Sequence, residues 1–347
     1  MPDPHGHWRA VINSLATPIL AVILATGVCS VALLLVGHNP LAAWQALIQR
    51  AFLRPAGVQE MLVAAAPLLL AGVAVAVAAR AGLWNIGIDG QVLVGALAAA
   101  WVGTTLEGTP RILLWAVVLV TGVIGGLAWV AIPALLRARF GTNEIVTTIM
   151  FNYVALSLTS WLVKGPLRDD TIVAPQTAAI PPTDRLPLLA NTRVHAGVIL
   201  ALVVWGVVTW WLHRSTAGFD IKATGENPRA AIHALIPVGL VSAGALLASG
   251  ALAGLVGAGD ILSTKGTFQA EWNPGYGLTA FALVFLARKN FLALLPAALF
   301  LGLLSYGADV MPRAAGVPSA FFAFYEGVIL IVLAVFAWQP WHRKQML

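Results

Sequence analysis

The chain has 347 residues, of which 59% are hydrophobic and 10% charged, with a formal net charge of +6; its mean hydropathy is +0.87. Soluble domains carry about 25% charged residues, so the composition excludes an ordinary water-soluble domain and makes lipid the solvent. Lys and Arg stand in ones and twos at the ends of apolar runs, with no basic stripe interleaved with aromatics, which argues against a nucleic-acid surface.

In chain order the apolar runs are 16–37, 58–79, 83–102, 112–136, 145–163, 194–212, 238–259, 276–287, 291–308 and 321–338. At about 20 residues per crossing, they predict an all-α, polytopic integral membrane protein. About ten transmembrane helices form a single transmembrane domain over residues 1–347. The first run exceeds a signal-peptide core of about 7–15 residues and reads as a retained helix. Cys29, the one cysteine, reads as a small buried apolar residue. Arg288-Lys289-Asn290 between the eighth and ninth runs reads as a tight basic turn.

The head of the third run is unusual. Residues 81–91 spell Ala-Gly-Leu-Trp-Asn-Ile-Gly-Ile-Asp-Gly-Gln. Asn85, Asp89 and Gln91 are costly against lipid, and Gly82, Gly87 and Gly90 relax the backbone. A broken helix is tolerated at membrane depth only where protein or a water-filled cavity covers it. The third helix is therefore expected to be broken, and its polar groups either line a transport pathway or satisfy one another.

Short-loop basic residues set the orientation. With the N-terminus inside, the turns at Arg80, at Arg137 and Arg139, and at Arg288 and Lys289 face the cytoplasm. Most loop acids then fall outside: Glu60, Glu107, Asp169, Asp170, Asp184, Asp260, Glu271 and Asp309. Both termini are expected in the cytoplasm. The long outer loop, 165–193, holds Pro166, Pro175, Pro181, Pro182 and Pro187, which oppose a helix and favour an ordered extended connection.

The inner loop, 214–237, carries a second signal. Asn227 suits an N-cap and Pro228 the first helical position, so 229–235 predicts a short helix ended by Pro237. Such a knob suits docking into a groove of a soluble partner, through Ala230, Ala231 and Ala234, with Ile232 or Leu235 packing back. A helix lying on the membrane is the alternative.

Other polar groups lie within runs. Asn152 either bonds a neighbouring helix or contacts a substrate. Tyr153, Phe151, Phe321, Phe322, Phe324 and Tyr325 either stack a planar ligand or anchor at the interface. Glu144 favours the start of its helix. Glu326 must be paired, protonated or facing a cavity. The histidines show no ligand spacing, and no metal site is expected.

Four segments carry a family resemblance: 81–91 with Gly95-Ala96; Gly141-Thr142-Asn143-Glu144 through Asn152-Tyr153; Ala223-Thr224-Gly225-Glu226-Asn227-Pro228-Arg229-Ala230-Ala231; and Tyr276-Gly277-Leu278-Thr279-Ala280 through Arg288. Together they resemble permease subunits of bacterial ABC importers of the ribose and branched-chain amino acid type. They look most like the longer permease of nucleoside-type uptake systems. The family usually has Glu where this chain has Asp89.

The resemblance implies a bacterial inner-membrane permease with a second related permease chain, two ATPase domains and a periplasmic or lipid-anchored solute-binding protein. ATP and Mg would sit on the ATPase partners, and this chain would bind no cofactor. It contains no GxxxxGK[ST] loop. The implied coupling segment is Gly225, Glu226, Asn227, Pro228, Arg229, Ala230 and Ala231; the candidate pathway residues are Asn85, Asp89, Gln91, Asn152, Tyr153 and Glu326. The implied cargo is a nucleoside, with simple sugars or riboflavin-like molecules as alternatives. An ion-coupled secondary transporter is the alternative mechanism. A membrane enzyme would need titratable groups clustered at one face, and the charges are scattered instead.

Overall fold

The computed structural model describes residues 4–106 and 108–345, with side chains described from residue 16 to residue 336 except Glu107. Glu107 and both chain ends, on which the expected terminal positions rest, lie outside the described residues. Thirteen α-helices are present among the described residues: α1 (Pro4–Leu35), α2 (Pro40–Phe52), α3 (Pro55–Arg80), α4 (Ile88–Thr105), α5 (Arg111–Phe140), α6 (Glu144–Lys164), α7 (Gly197–Arg214), α8 (Thr216–Glu226), α9 (Pro228–His233), α10 (Val238–Asp260), α11 (Tyr276–Leu286), α12 (Leu294–Ala315) and α13 (Ala320–Gln345). A π-helical turn, Ile261–Lys265, follows α10.

Seven of these helices are long and apolar enough to cross a bilayer. α11 and the apolar part of α13, Ala320–Phe336, are apolar too but shorter. The expected all-α, multi-span architecture is what the chain adopts.

α3 is the central element. Its most apolar stretch is 78% buried, against 17% for α6. Its sequence is apolar on every side, as befits a helix surrounded by others; α7, α10, α11 and α12 pack around it. A second group, α4, α5 and α10, approaches almost backbone to backbone. A Cβ at Gly95 would lie 2.5 Å from the Gly254 Cα, and one at Gly126 would lie 2.2 Å from the Gly250 carbonyl oxygen. Small residues permit such approach where lipid gives no hydrophobic drive between helices.

The outer loop is ordered, as its prolines suggest, and is sewn to the chain after α10. Thr177 N–H donates to the Phe268 carbonyl at 3.0 Å, Ile180 N–H to Gly266 at 2.9 Å and Leu186 N–H to Leu262 at 2.9 Å. Ile180, wholly buried, joins Leu97, Val118 and Phe268 in an outer apolar cluster. Beside it, Lys164 lies 2.6 Å from Glu271 and holds that carboxyl below the usual range.

Several elements depart from the sequence expectations. The third helix begins at Ile88 rather than near residue 83: Leu83–Asn85 has no regular secondary structure and a turn follows at Ile86-Gly87. α2 is an additional amphipathic helix that buries Ala43, Leu47 and Ala51. α8 fills much of the inner loop. Phe322 and Tyr325 are buried core residues; the Tyr325 ring meets Trp44 edge-on at 5.7 Å. Cys29 is buried, as expected.

Candidate transport site

The polar segment before α4 is held by a closed knot of side chains. Asn85, fully buried, donates through Nδ2 to Gln91 Oε1 at 2.8 Å and to Ser249 Oγ at 2.9 Å. Its Oδ1 accepts from Gly87 N–H at 3.1 Å and from Gln91 Nε2 at 3.0 Å. Both amides thus turn their hydrogen-bonding capacity inward. From α6, Asn152 accepts from Gly90 N–H at 2.8 Å and donates to the Ile86 carbonyl at 2.8 Å. The Thr148 hydroxyl accepts from Ile86 N–H at 3.2 Å, and Glu144 accepts from Trp84 N–H at 3.4 Å. α6 therefore supplies the partners that the unwound backbone lacks. Arg137 Nε stands 3.5 Å from Glu144 and balances its charge.

Asp89 points elsewhere. Its Oδ1 accepts from Gly277 N–H, in the first turn of α11, at 2.7 Å. α11 has 11 residues, a length of roughly 16 Å at 1.5 Å per residue, about half of the ~30 Å apolar core. Its N-terminus, with N–H groups that have no partner within the helix and a positive dipole end, therefore lies well inside the membrane. Three carboxylates from three helices meet that turn. Besides Asp89 from α4, Asp260 at the end of α10 accepts from the Tyr276 hydroxyl at 2.6 Å. Glu326 of α13 accepts from the Thr279 hydroxyl at 2.9 Å. Gly277 is required by crowding: a Cβ there would lie 2.7 Å from Asp89 Oδ2. Asp89 and Glu326 are half-buried, whereas Asp260 is buried.

The segment 223–233, spanning the end of α8 and α9, meets this assembly at the end of α3. Asn227 caps α9 by accepting from Ala230 N–H at 3.1 Å. Glu226, Asn227, Pro228, Arg229 and Ala230 are exposed, while Ala231 is buried. Ala230 and Ala234 are exposed, as expected of a docking face, but Ala231 packs back, and Ile232 and Leu235, expected to pack back, are 58% and 90% exposed.

Gly225 presses on the turn after α3. A Cβ on it would lie 2.1 Å from the Arg80 carbonyl oxygen and 2.8 Å from Gly82 N. Gly82 itself has φ of +77°, a conformation that favours glycine. The two segments singled out in the sequence, 81–91 and 223–231, are thus in direct backbone contact.

Of the sequence candidates, Asn85, Gln91 and Asn152 are joined around Gly87 and Gly90, and Asp89 and Glu326 converge on α11. Tyr153 stands apart, 67% exposed on the flank of α6. Ser249 was not singled out in the sequence; Thr148, Tyr276 and Thr279 fell within the family-bearing segments without a site role, and Asp260 was read only as a loop acid.

Residues 57–338 match the family described as branched-chain amino acid transport system, permease component. The chain belongs to this permease family. It is similar to a guanosine ABC transporter permease protein of Bacillus subtilis, 34% identical over 93% of this chain and 94% of the relative. It is also similar to a glucose ABC transporter permease protein of Haloferax volcanii, 33% identical over 91% of this chain and 86% of the relative. A second guanosine ABC transporter permease protein of Bacillus subtilis is 27% identical over 79% of this chain and 89% of the relative. The permease is a multi-pass protein of the cytoplasmic membrane and a transport component of an ABC system. Such permeases occur as related chains within one organism, as the two Bacillus subtilis proteins illustrate.

Proposed function

We propose that this permease is one half of the membrane core of an ATP-driven importer for nucleosides. The other half would be a second, related permease chain. Two ATPase domains would carry ATP and Mg below, and a periplasmic or lipid-anchored binding protein would deliver substrate from above. The observation that carries the reading is the 34% identity to the guanosine permease over 93% of this chain.

The geometry supports a mechanical route. ATPase closure pushes on the exposed stretch from Glu226 through Ala230, with Gly225 and Ala231 packed behind it. Gly225 bears on the Arg80–Gly82 turn. That turn leads into the Asn85–Gln91 knot, which is too well bonded to deform and so moves as a unit with the start of α4. Asp89 rides on α4 and pulls on the first turn of α11. Asp89 and Glu326 then exchange their protein donors for the hydroxyl and amino donors of a nucleoside, and release them as the helices return. Asn85, Gln91 and Asn152 shape this pathway by holding the backbone. Tyr153 contributes only across the interface with the second permease.

A sugar is the second reading, favoured by the 33% identity to the glucose permease; carboxylates suit the hydroxyls of either cargo. The test is uptake by vesicles carrying the permease with its partner subunits and binding protein, offered labelled guanosine, glucose and riboflavin. ATP-dependent guanosine uptake, competed by other nucleosides, is expected. Glucose uptake without guanosine uptake selects the sugar reading. Uptake that survives ATP removal but collapses with the ion gradient replaces the ABC mechanism by an ion-coupled one.

A further inference from the structure

Two cavities flank the turn between α11 and α12 and share Arg288 and Asn290 in their walls. The first, of about 430 Å³, opens at the cytoplasmic end between the C-terminus of α3 and α8. Arg80, Lys222, Arg288, Lys289 and His213 line it, with Glu226 as the one carboxylate in the described wall. The second, of about 560 Å³, is an apolar groove on the lipid-facing flank, walled by Ile19, Ile23, Leu286, Ala293 and Phe300. Ile19 and Ile23 are 56% and 59% exposed.

In the first cavity the Glu226 carboxylate acts on both Lys222 and Arg80, and Arg80 and Lys289 rest against aromatic rings. Glu226 is engaged by Lys222 at 3.6 Å. The Arg80 Nε is buried without a hydrogen-bond partner, and its guanidinium lies over the Phe291 ring at 5.6 Å. Lys289 sits 5.1 Å from the centre of the Trp84 ring. The backbone reinforces the arrangement. Arg288 and Lys289 have φ of +50° and +61°, values uncommon for long side chains. Their N–H groups are tied to Phe285 and Val284 at 3.0 and 3.1 Å. Two consecutive left-handed residues thus fix a pair of cations at the border between the basic cavity and the apolar groove.

We propose that an anionic phospholipid occupies both cavities, its phosphate in the basic one and an acyl chain in the groove. Basic pockets between helices on the cytoplasmic side suit such headgroups. A free phosphate would satisfy the cations and leave the groove unexplained. A zwitterionic lipid would bring its own cation against Arg80 and Lys289. The shared wall at Arg288 and Asn290 is where a molecule with a charged head and an apolar tail must cross.

The test uses the full-length chain, stripped of lipid in detergent and offered phosphatidylglycerol, phosphatidylcholine with the same acyl chains, or inorganic phosphate, with bound molecules counted by native mass spectrometry. Phosphatidylglycerol is expected to be retained at least tenfold better than phosphatidylcholine. Arg80→Gln with Lys289→Gln should remove that preference. Ala293→Phe, which fills the groove from a partly exposed position, should weaken phosphatidylglycerol binding at least threefold and leave phosphate binding unchanged. Lys289→Gln alone changes an exposed turn, so its thermal midpoint controls for folding: weaker lipid binding at an unchanged midpoint supports the proposal. Equal retention of the two lipids overturns it. So does unaltered binding in the well-folded Lys289→Gln protein, and full competition by phosphate with no effect of Ala293→Phe marks a free-phosphate site instead.

Discussion

Asn85 and Asn227 both stand where a helix is interrupted, and they serve opposite ends. Asn85 is wholly buried and makes four hydrogen bonds, all to neighbours within 81–91 or to Ser249. Asn227 is exposed and makes one side-chain bond, to the N–H of Ala230. In the membrane interior an unpaired amide has no water to turn to, so the buried break is locked from all sides. On the exposed α9 water competes for each group, and one cap bond is enough to hold the turn. The same residue type makes a rigid joint in one place and a presented edge in the other.

Substitutions test this contrast. The largest effect is expected from Asn85→Leu, which strips partners from Gln91, Ser249 and Gly87 N–H. The loss should be about 3 kcal/mol, read as a lowered unfolding midpoint in detergent. A midpoint equal to that of the parent would show that the knot carries no stability. Gly225→Ala comes next. Its methyl would meet the Arg80 carbonyl, and overpacking of that kind costs about 2 kcal/mol. ATP hydrolysis by the assembled transporter should persist while uptake falls about tenfold, a difference of ~1.4 kcal/mol; full uptake would remove Gly225 from the coupling route. Asn227→Ala is the mildest, removing a cap contributing about 1 kcal/mol of local helix stability. Uptake should drop while the unfolding midpoint stays put, and a midpoint shift as large as that of Asn85→Leu would erase the distinction between the two sites.

Much of this arrangement was legible in the sequence, for local reasons. The spans show as long apolar runs, the break at 81–91 as polar and glycine residues within them, and the short α9 as an Asn-Pro start. α2 escaped notice because its buried Ala43, Leu47 and Ala51 are diluted by Gln45, Gln49 and Arg50 on the other face. α8 was hidden for the same reason. The partners of the carboxylates were beyond local reading altogether. Asp89 and Gly277 are 188 residues apart, and Thr279 and Glu326 are 47 apart. Only the packing of α4, α10 and α13 around α11 brings those pairs together. The misplacement of Ala231, Ile232 and Leu235 came from the brevity of α9: with six residues, its periodicity is too short to show which side is buried.

The strap formed by the outer loop has a consequence for synthesis. Thr177 and Phe268, which bond to one another, are 91 residues apart. At elongation rates of about 5–20 residues per second, roughly 5 to 20 seconds separate their emergence from the ribosome. Throughout that interval the loop has been translocated while the segment that secures it is still unmade, and Ile180 stands outside with no apolar cluster to enter. The outer strap therefore stays open until α10 and the segment after it are made, and the nascent chain offers a timed window for chaperones or proteases on that side of the membrane.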